Sequence, residues 1–255
     1  MTIPATGTEW ATGGYADIDS RFLERGGLVA ALIRDYGGSA TNISPDVFSP
    51  FATDGTPRDD LFACTRVDGV WTINASANEG WWNFGAFEEK KGPERRPSSK
   101  HDDFMVLQSN WPFDSDLTSE GETVRFTAVE TLKPLLKRVK NNLPLVDSNG
   151  DIVVEDVGEA GYGIGKPVEA DAVERQLLLL RKRSKGGKTI YTCDGFPLVK
   201  LTDIGNAKKD KTDADAAELT FTVLPDPYFV DVDGTPLVHY TWVAGDGWTS
   251  MLPSS

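Results

Sequence analysis

Alternation of apolar and polar positions dominates this chain. In ETVRFTAVE (122–130), Val124, Phe126 and Ala128 point one way while Thr123, Arg125 and Thr127 point the other. ELTFTVLP (218–225) sets Leu219, Phe221 and Val223 against Thr220 and Thr222. A period of two with β-branched and aromatic residues predicts half-buried strands. VWTINAS (70–76), DFMVLQS (103–109), DIVVEDV (151–157), RQLLLLRK (175–182), KTIYTC (188–193) and PLVHYTWV (236–243) are further strand candidates. GGLVAALIRDYGG (26–38) fits a buried strand or a short helix, and its flanking glycines favour the strand. Asn149-Gly150 and Asp194-Gly195 are dipeptides of the hairpin-turn type.

One segment has helical period instead. In TLKPLLKRVKNNLP (131–144) the apolar stripe is Leu132, Leu135, Leu136, Val139 and Leu143. This predicts an amphipathic helix over about 131–143, capped by Thr131 and stopped by Pro144. Pro134 fits its first turn, where a missing N–H costs nothing. Lys137, Arg138 and Lys140 suit the negative C-terminal end of its dipole.

Many strands, one helix and several polar loops predict a mainly β chain, a β-sandwich with a helix packed on it. Residues 1–25, rich in Thr, Gly, Ala and Asp, read as a flexible arm. Residues 26–255 read as a single domain with a C-terminal extension from about 230. EEKKGPERRPSSKHDD (88–103) balances Lys90, Lys91, Arg95, Arg96 and Lys100 against five acids, Glu94 among them. With its glycine and prolines it reads as a long mobile loop. NAKKDKTDADAAE (206–218) is a second mixed-charge loop.

Charge narrows the function. The net charge is −13, which opposes sequence-independent DNA binding through many phosphate contacts. The densest positive run is RKRSKGGK (181–188), with Arg181, Lys182, Arg183, Lys185 and Lys188. Counting Arg175 as well, six cations sit in 175–188 with no acid, which leaves −19 on the rest. The run reads as the tip of a hairpin between two strands, its turn supplied by Ser184-Lys185-Gly186-Gly187.

Catalytic and ligand motifs are weak. GEAGYGIGKP (158–167) fails the phosphate-loop spacing at Ala160 and Pro167. DSNGD (147–151) lacks the calcium-loop glycine and glutamate, and reads as a hairpin turn. Cys64 and Cys193 are expected to be buried thiols, and His101 and His239 are isolated. No enzyme, cofactor or metal is therefore expected. The seven tryptophans, Trp81, Trp82, Trp111, Trp242 and Trp248 among them, read as core or interface anchors. No run of eighteen apolar residues predicts a membrane helix, and MTIPATGTEWATGGYAD lacks signal-peptide character.

Three stretches resemble one family. GWWNFGAFEEKKGPERRP (80–97) is a Gly-Trp strand feeding a charged loop. LQSNWPFDSDLTSEGETVRFTAVETLKPLLKR (107–138) is an acidic linker, a strand and a helix. GFPLVKLTDIGNAKKDKTDADAAELTFTVLPDPYF (195–229) precedes a GDGW tail. Together the chain resembles the major tail tube proteins of long, non-contractile-tailed phages, especially those of actinobacteria, over roughly residues 25–250.

The resemblance implies a β-sandwich subunit that assembles into hexameric rings, stacked into a tube that delivers the genome. It implies the virion tail as location, with assembly in the host cytoplasm. Its implied partners are further copies of the chain, the tape measure, the terminator and the tail tip, with DNA passing unbound and no membrane partner. The loop 88–103, with Lys90, Lys91, Glu94, Arg95, Arg96 and Lys100, is then expected to reach a neighbouring ring. The tip Arg181, Lys182, Arg183 and Lys185 is expected to meet an acidic surface on the next copy. Thr and acidic faces of 122–130 and 218–223 are expected to line the lumen. A tail terminator, connector or tail-tip ring, or a soluble β-sandwich binding module, are the other readings.

Overall fold

A computed structural model describes residues 26–252 except 68–69, 148, 150, 154–160, 170 and 207–214, together with residues 6, 9, 16, 22 and 23. The expected N-terminal arm, the loop 206–218 and the strand 151–157 fall largely outside these described residues. In chain order the first strands are β1 (Leu28–Asp35), β2 (Cys64–Val67), β3 (Val70–Ile73), β4 (Trp82–Asn83), β5 (Glu94–Phe104) and β6 (Asp114–Ala128). Helix α1 (Pro134–Lys140) follows. Then come β7 (Glu174–Lys185), β8 (Lys188–Ile204), β9 (Ala217–Val223), β10 (Tyr240–Ala244) and a final turn of helix, α2 (Asp246–Thr249).

Antiparallel pairing joins eight strands in the order β4-β1-β7-β8-β9-β6-β5, with β10 also on β8; β2 and β3 form a separate ribbon. The chain is mainly β, as its alternation predicts. Segment 26–38 resolves to the strand β1, whose Leu32 and Ile33 point to opposite faces and are both buried. A strand covered on both faces loses its alternation, which is why its apolar run is continuous.

The two faces of the sheet have separate cores. On one lie Ile33, Leu177, Phe196, Val199, Phe126 and Phe221, against which α1 packs Leu135, Leu136 and Val139. Phe84, just after β4, meets Phe126 edge-on at 4.9 Å and so spans from one side of the sheet to the other. Phe87 then bridges to Ala128 on β6. The sheet thereby curls around its first core. On the opposite face, Leu32, Leu178, Cys193 and Trp242 are covered by loop residues Ile43, Phe48, Trp81 and Phe229. Burying rings of this size is the main stabilising contribution, about 1.5–3 kcal/mol per large side chain.

Several expectations are corrected. The helix begins at Pro134, with Lys133 as its N-cap and no side-chain cap. Thr131 is therefore not the cap, and Leu132 stands before the helix, 81% exposed. Asp194-Gly195 is no turn: both residues lie inside β8, where they pair with β7 and β10. Gly195 is needed because a Cβ there would lie 2.5 Å from the Trp242 ring. Residues 94–103 are not a loop but most of β5, and 103–109 is not a strand beyond Phe104 but the tip of the β5–β6 hairpin. Thr127, expected on an open face, is buried.

Asn149 does lie in a turn, closed by hydrogen bonds from Asp147 N–H to Asp151 O and from Asp151 N–H to Asp147 Oδ1. RKRSKGGK is a hairpin tip. Lys185 pairs with Lys188, so the turn is Gly186-Gly187 alone. Their φ values of 61° and 78° are the left-handed pair that a two-residue hairpin turn requires. Both cysteines are buried, one in each core.

Candidate assembly surface

The most exposed element is the β5–β6 hairpin. Only its base is supported, where Thr123–Ala128 of β6 pairs with β9. Beyond the Pro97–Glu122 pair it runs on to Phe104–Asp114 with no other strand beside it among the described residues. Seven further positions at ~3.3 Å each make an arm of roughly 23 Å. Pro97 is compatible with this strand because β5 is an edge strand. A register shift at Lys100/His101 adds twist midway.

The arm ends in apolar side chains that no other described part of the chain covers. Phe104, Leu107, Trp111 and Phe113 are 64%, 103%, 80% and 75% exposed. Isolated exposed apolar residues are ordinary, but a cluster of large ones at the end of an arm marks a contact surface. Of the named tryptophans, Trp81, Trp82 and Trp242 are core residues and Trp111 is the exposed one.

A polar cluster lies at the base of the arm. Arg95 Nε donates to Glu122 Oε1 at 2.6 Å, and Arg95 Nη2 lies 3.0 Å from His239 Nε2. His239 Nδ1 is 3.2 Å from Glu122 Oε2, and Arg95 Nη1 is 3.7 Å from Asp194 Oδ1. The Arg95 guanidinium also lies over Phe196 at 5.7 Å. Arg95, expected to face another ring, is thus engaged within its own chain.

The other candidates in this stretch differ. Lys90 is exposed with φ of 70°. Lys91 pairs with Glu88 at 2.9 Å. Arg96 donates to Glu94 at 2.7 Å, which holds the Glu94 carboxyl below its ordinary range and Arg96 above. Lys100 lies exposed along the arm.

The second group of candidates lies on β7. Arg181 and Arg183 share one face, and Lys182 takes the other, with its Nζ 6.0 Å from the Tyr191 ring. Arg175, counted with this cluster in the sequence, is fully buried beside Asp35. Three depressions in series follow the Arg181 face. One is bounded by Pro93, Arg95, Arg181 and Asp194. The next has Arg181, Arg183, Ile190, Val243 and Trp248, and the last Arg183, Lys185, Lys188 and Met251. The structure therefore brings Arg95 and Arg181 to one groove, while Lys100 and the arm's tip extend elsewhere. Alternation along β7 and β8 explains the groove: Ile190 and Thr192 oppose Arg183 and Arg181 in register.

Sequence reasoning placed the contact in the charges of 88–103 and missed the apolar tip. Its signal was present as Phe104, Met105, Leu107, Trp111 and Phe113 set among Asp102, Asp103, Asp114 and Asp116.

On the outer face of β9 and β6, Thr123, Arg125, Thr220 and Thr222 are half-buried. Thr222 and Thr202 hydroxyls meet at 3.0 Å, and Arg125 pairs with Glu218. Burial pushes the Cys193 thiol well above its ordinary range, which suits a packing role. Among the described residues no group of three His, Cys, Asp or Glu side chains is arranged to hold a metal, and no helix is long and apolar enough to cross a membrane. Neither a family model nor a curated protein sequence matches the chain.

Proposed function

We propose that this chain is a self-assembling structural subunit of a phage tail tube, forming stacked rings around a channel for the genome. The observation that carries the reading is the β5–β6 arm, about 23 Å of hairpin with no other described strand beside it, ending in exposed Phe104, Leu107, Trp111 and Phe113. An isolated two-stranded ribbon is marginal in water, and an apolar tip on it is costly unless another surface covers it. A subunit that is half of an interface explains both features. The resemblance of 80–97, 107–138 and 195–229 to tail tube proteins agrees with it. The net charge of −13 suits a conduit along which DNA slides without sticking. The half-open threonine face of β6 and β9 is the proposed lumen side.

The test is negative-stain electron microscopy with light scattering at rising protein concentration. Tubes or stacked rings support the reading. Single rings that never stack point to a terminator or connector, and a concentration-independent monomer in the virion's absence and presence of other tail proteins overturns it.

A further inference from the structure

One imidazole sits where three parts of the chain meet. His239 stands just before β10, Arg95 lies on β5 and Glu122 on β6 at the base of the arm, and Asp194 lies within β8. Arg95 Nη2 is 3.0 Å from His239 Nε2 and 3.4 Å from Nδ1, while Glu122 Oε2 is 3.2 Å from Nδ1. A guanidinium only donates, so the nearer ring nitrogen, Nε2, must present a lone pair to it. An ionised carboxylate only accepts, so Nδ1 must carry the hydrogen. The two neighbours therefore select one form of the ring, neutral with its hydrogen on Nδ1.

A second proton suits the charge of the cluster but not this arrangement. The nearest charges are one cation, Arg95, and two carboxylates, Glu122 and Asp194. Glu120 follows Glu122 on the same face of β6, and Arg181 of β7 shares a depression with Arg95 and Asp194, so these two offset each other. The turn that precedes the ring keeps Asp231 and Asp233 on its own backbone N–H groups. The surplus of negative charge leaves room for a proton. A hydrogen on Nε2, however, ends the bond from Arg95 and sets two cations against each other across 3.0 Å.

We propose that His239 is an acid-sensitive latch between the C-terminal strand and the base of the β5–β6 arm. Neutral, it ties Arg95 and Glu122 to β10. Protonated, it keeps Glu122 and releases Arg95 to Asp194, whose Oδ1 is 3.7 Å from Nη1. Asp194 also accepts from the Thr241 hydroxyl, two residues beyond the ring, so the exchange is felt on both sides of the latch. The ring is 31% exposed, which lets protons reach it from solvent. The latch works within one chain and does not depend on what the chain assembles into.

Nitrogen NMR tests this on a His101→Gln chain, in which His239 is the only histidine. His101 is exposed, so its loss leaves the fold intact. The titration runs from about pH 8 to about pH 5.5, above the ordinary carboxylate range. At its alkaline end the ring should carry hydrogen on Nδ1 and show a bare Nε2. As the ring gains its proton, the Arg95 Nε–H signal should move with the same midpoint. So should the amides of Ser98 and Gly121, the first pair of the arm beyond its base. His239→Gln can accept from Arg95 and donate to Glu122 but takes up no proton, and the response of these amides should be lost. In Arg95→Met the ring still titrates, yet the Ser98 and Gly121 response should again be lost. The tautomer and the shared midpoint are read with the latch residues unaltered, so a variant that fails to fold leaves the test standing. Hydrogen on Nε2 at the alkaline end overturns the proposal, as does a ring that stays neutral throughout. So does a titration that leaves Arg95 unmoved, or an arm response that survives either substitution.

Discussion

Asp35 and Arg175 stand opposite one another in the β1–β7 pair, with Asp35 Oδ1 3.6 Å from Nε of a fully buried guanidinium. The second carboxylate oxygen accepts the backbone N–H groups of Leu145 and Val146. Arg175 donates in turn to Asn142 Oδ1 at 3.2 Å and Leu143 O at 2.8 Å. Two charges thus tie the sheet to the segment that leaves α1. Burial raises the Asp35 pKa above its ordinary value and outweighs the pull of Arg175, while burial also lowers that of Arg175.

The sign of this shift gives a prediction. A raised folded-state pKa makes Asp35 contribute more stability below its unfolded pKa, and that contribution is lost as pH rises through the folded value. Arg175→Met leaves the buried carboxylate unopposed and should cost about 3–5 kcal/mol at neutral pH. The cost should shrink as the pH falls and Asp35 protonates. Asp35→Asn keeps an acceptor for Leu145 and should cost less than Arg175→Met. Urea melts at several pH values check this; a deficit for Arg175→Met that grows on acidification would refute it.

Gly195 and Trp242 form a second coupled pair. A Cβ on Gly195 would meet Trp242 at 2.5 Å and Leu178 at 3.2 Å. Gly195→Ala should destabilise by about 1–3 kcal/mol through overpacking. In a Trp242→Leu background the same change should cost much less, because the ring that blocks it is gone. Chemical denaturation of the four proteins measures the coupling, and strict additivity would sink the claim.

The helix makes a third case. Leu136 is fully buried, whereas Leu132 is 81% exposed. Leu136→Ala should lose about 2–5 kcal/mol and Leu132→Ala at most about 0.5 kcal/mol. Equal thermal shifts in the two variants would contradict the placement of the helix start at Pro134.

This contrast shows what the sequence reveals and what it hides. Leu132 belongs to the apolar stripe by spacing, yet Pro134 at the first helical position sets the start beyond it. The strand β9 was legible because burial alternates along its whole length. The strand β5, ERRPSSKHDDF, was not, because ladder hydrogen bonds rather than a buried face make it a strand. Without a buried face there is no period of two to find. Asp194-Gly195 misled for a related reason: a turn-forming dipeptide inside a long strand is overruled by pairing on both sides. The basic tip at 181–188 was legible, but the groove beside it was not. Trp248 and Met251 reach it from the far end of the chain, and no local pattern reports such a meeting.

Excising the arm tests its role directly. Replacing Ser98–Gly121 by Asn-Gly joins the paired Pro97 and Glu122 through a tight hairpin turn. The Arg95–Glu122–His239 cluster is retained, so the subunit should fold with an unchanged melting temperature within a few degrees. Assembly should be lost. Normal tubes from the shortened protein, seen by electron microscopy, would rule out the arm as an assembly element.

The pairing of β1 has a consequence for synthesis. Leu28 pairs with Lys182 and Asp35 with Arg175, so roughly 140 to 150 residues separate partners in the sheet. At about 5–20 residues per second, a ribosome takes ~7–30 s to make the second partner after the first. Throughout that interval the nascent chain carries Ala31, Leu32 and Ile33 without the strand that later shelters them. The chain therefore completes its sheet only near the end of translation, and cellular chaperones meet it first as an open, unpaired β1.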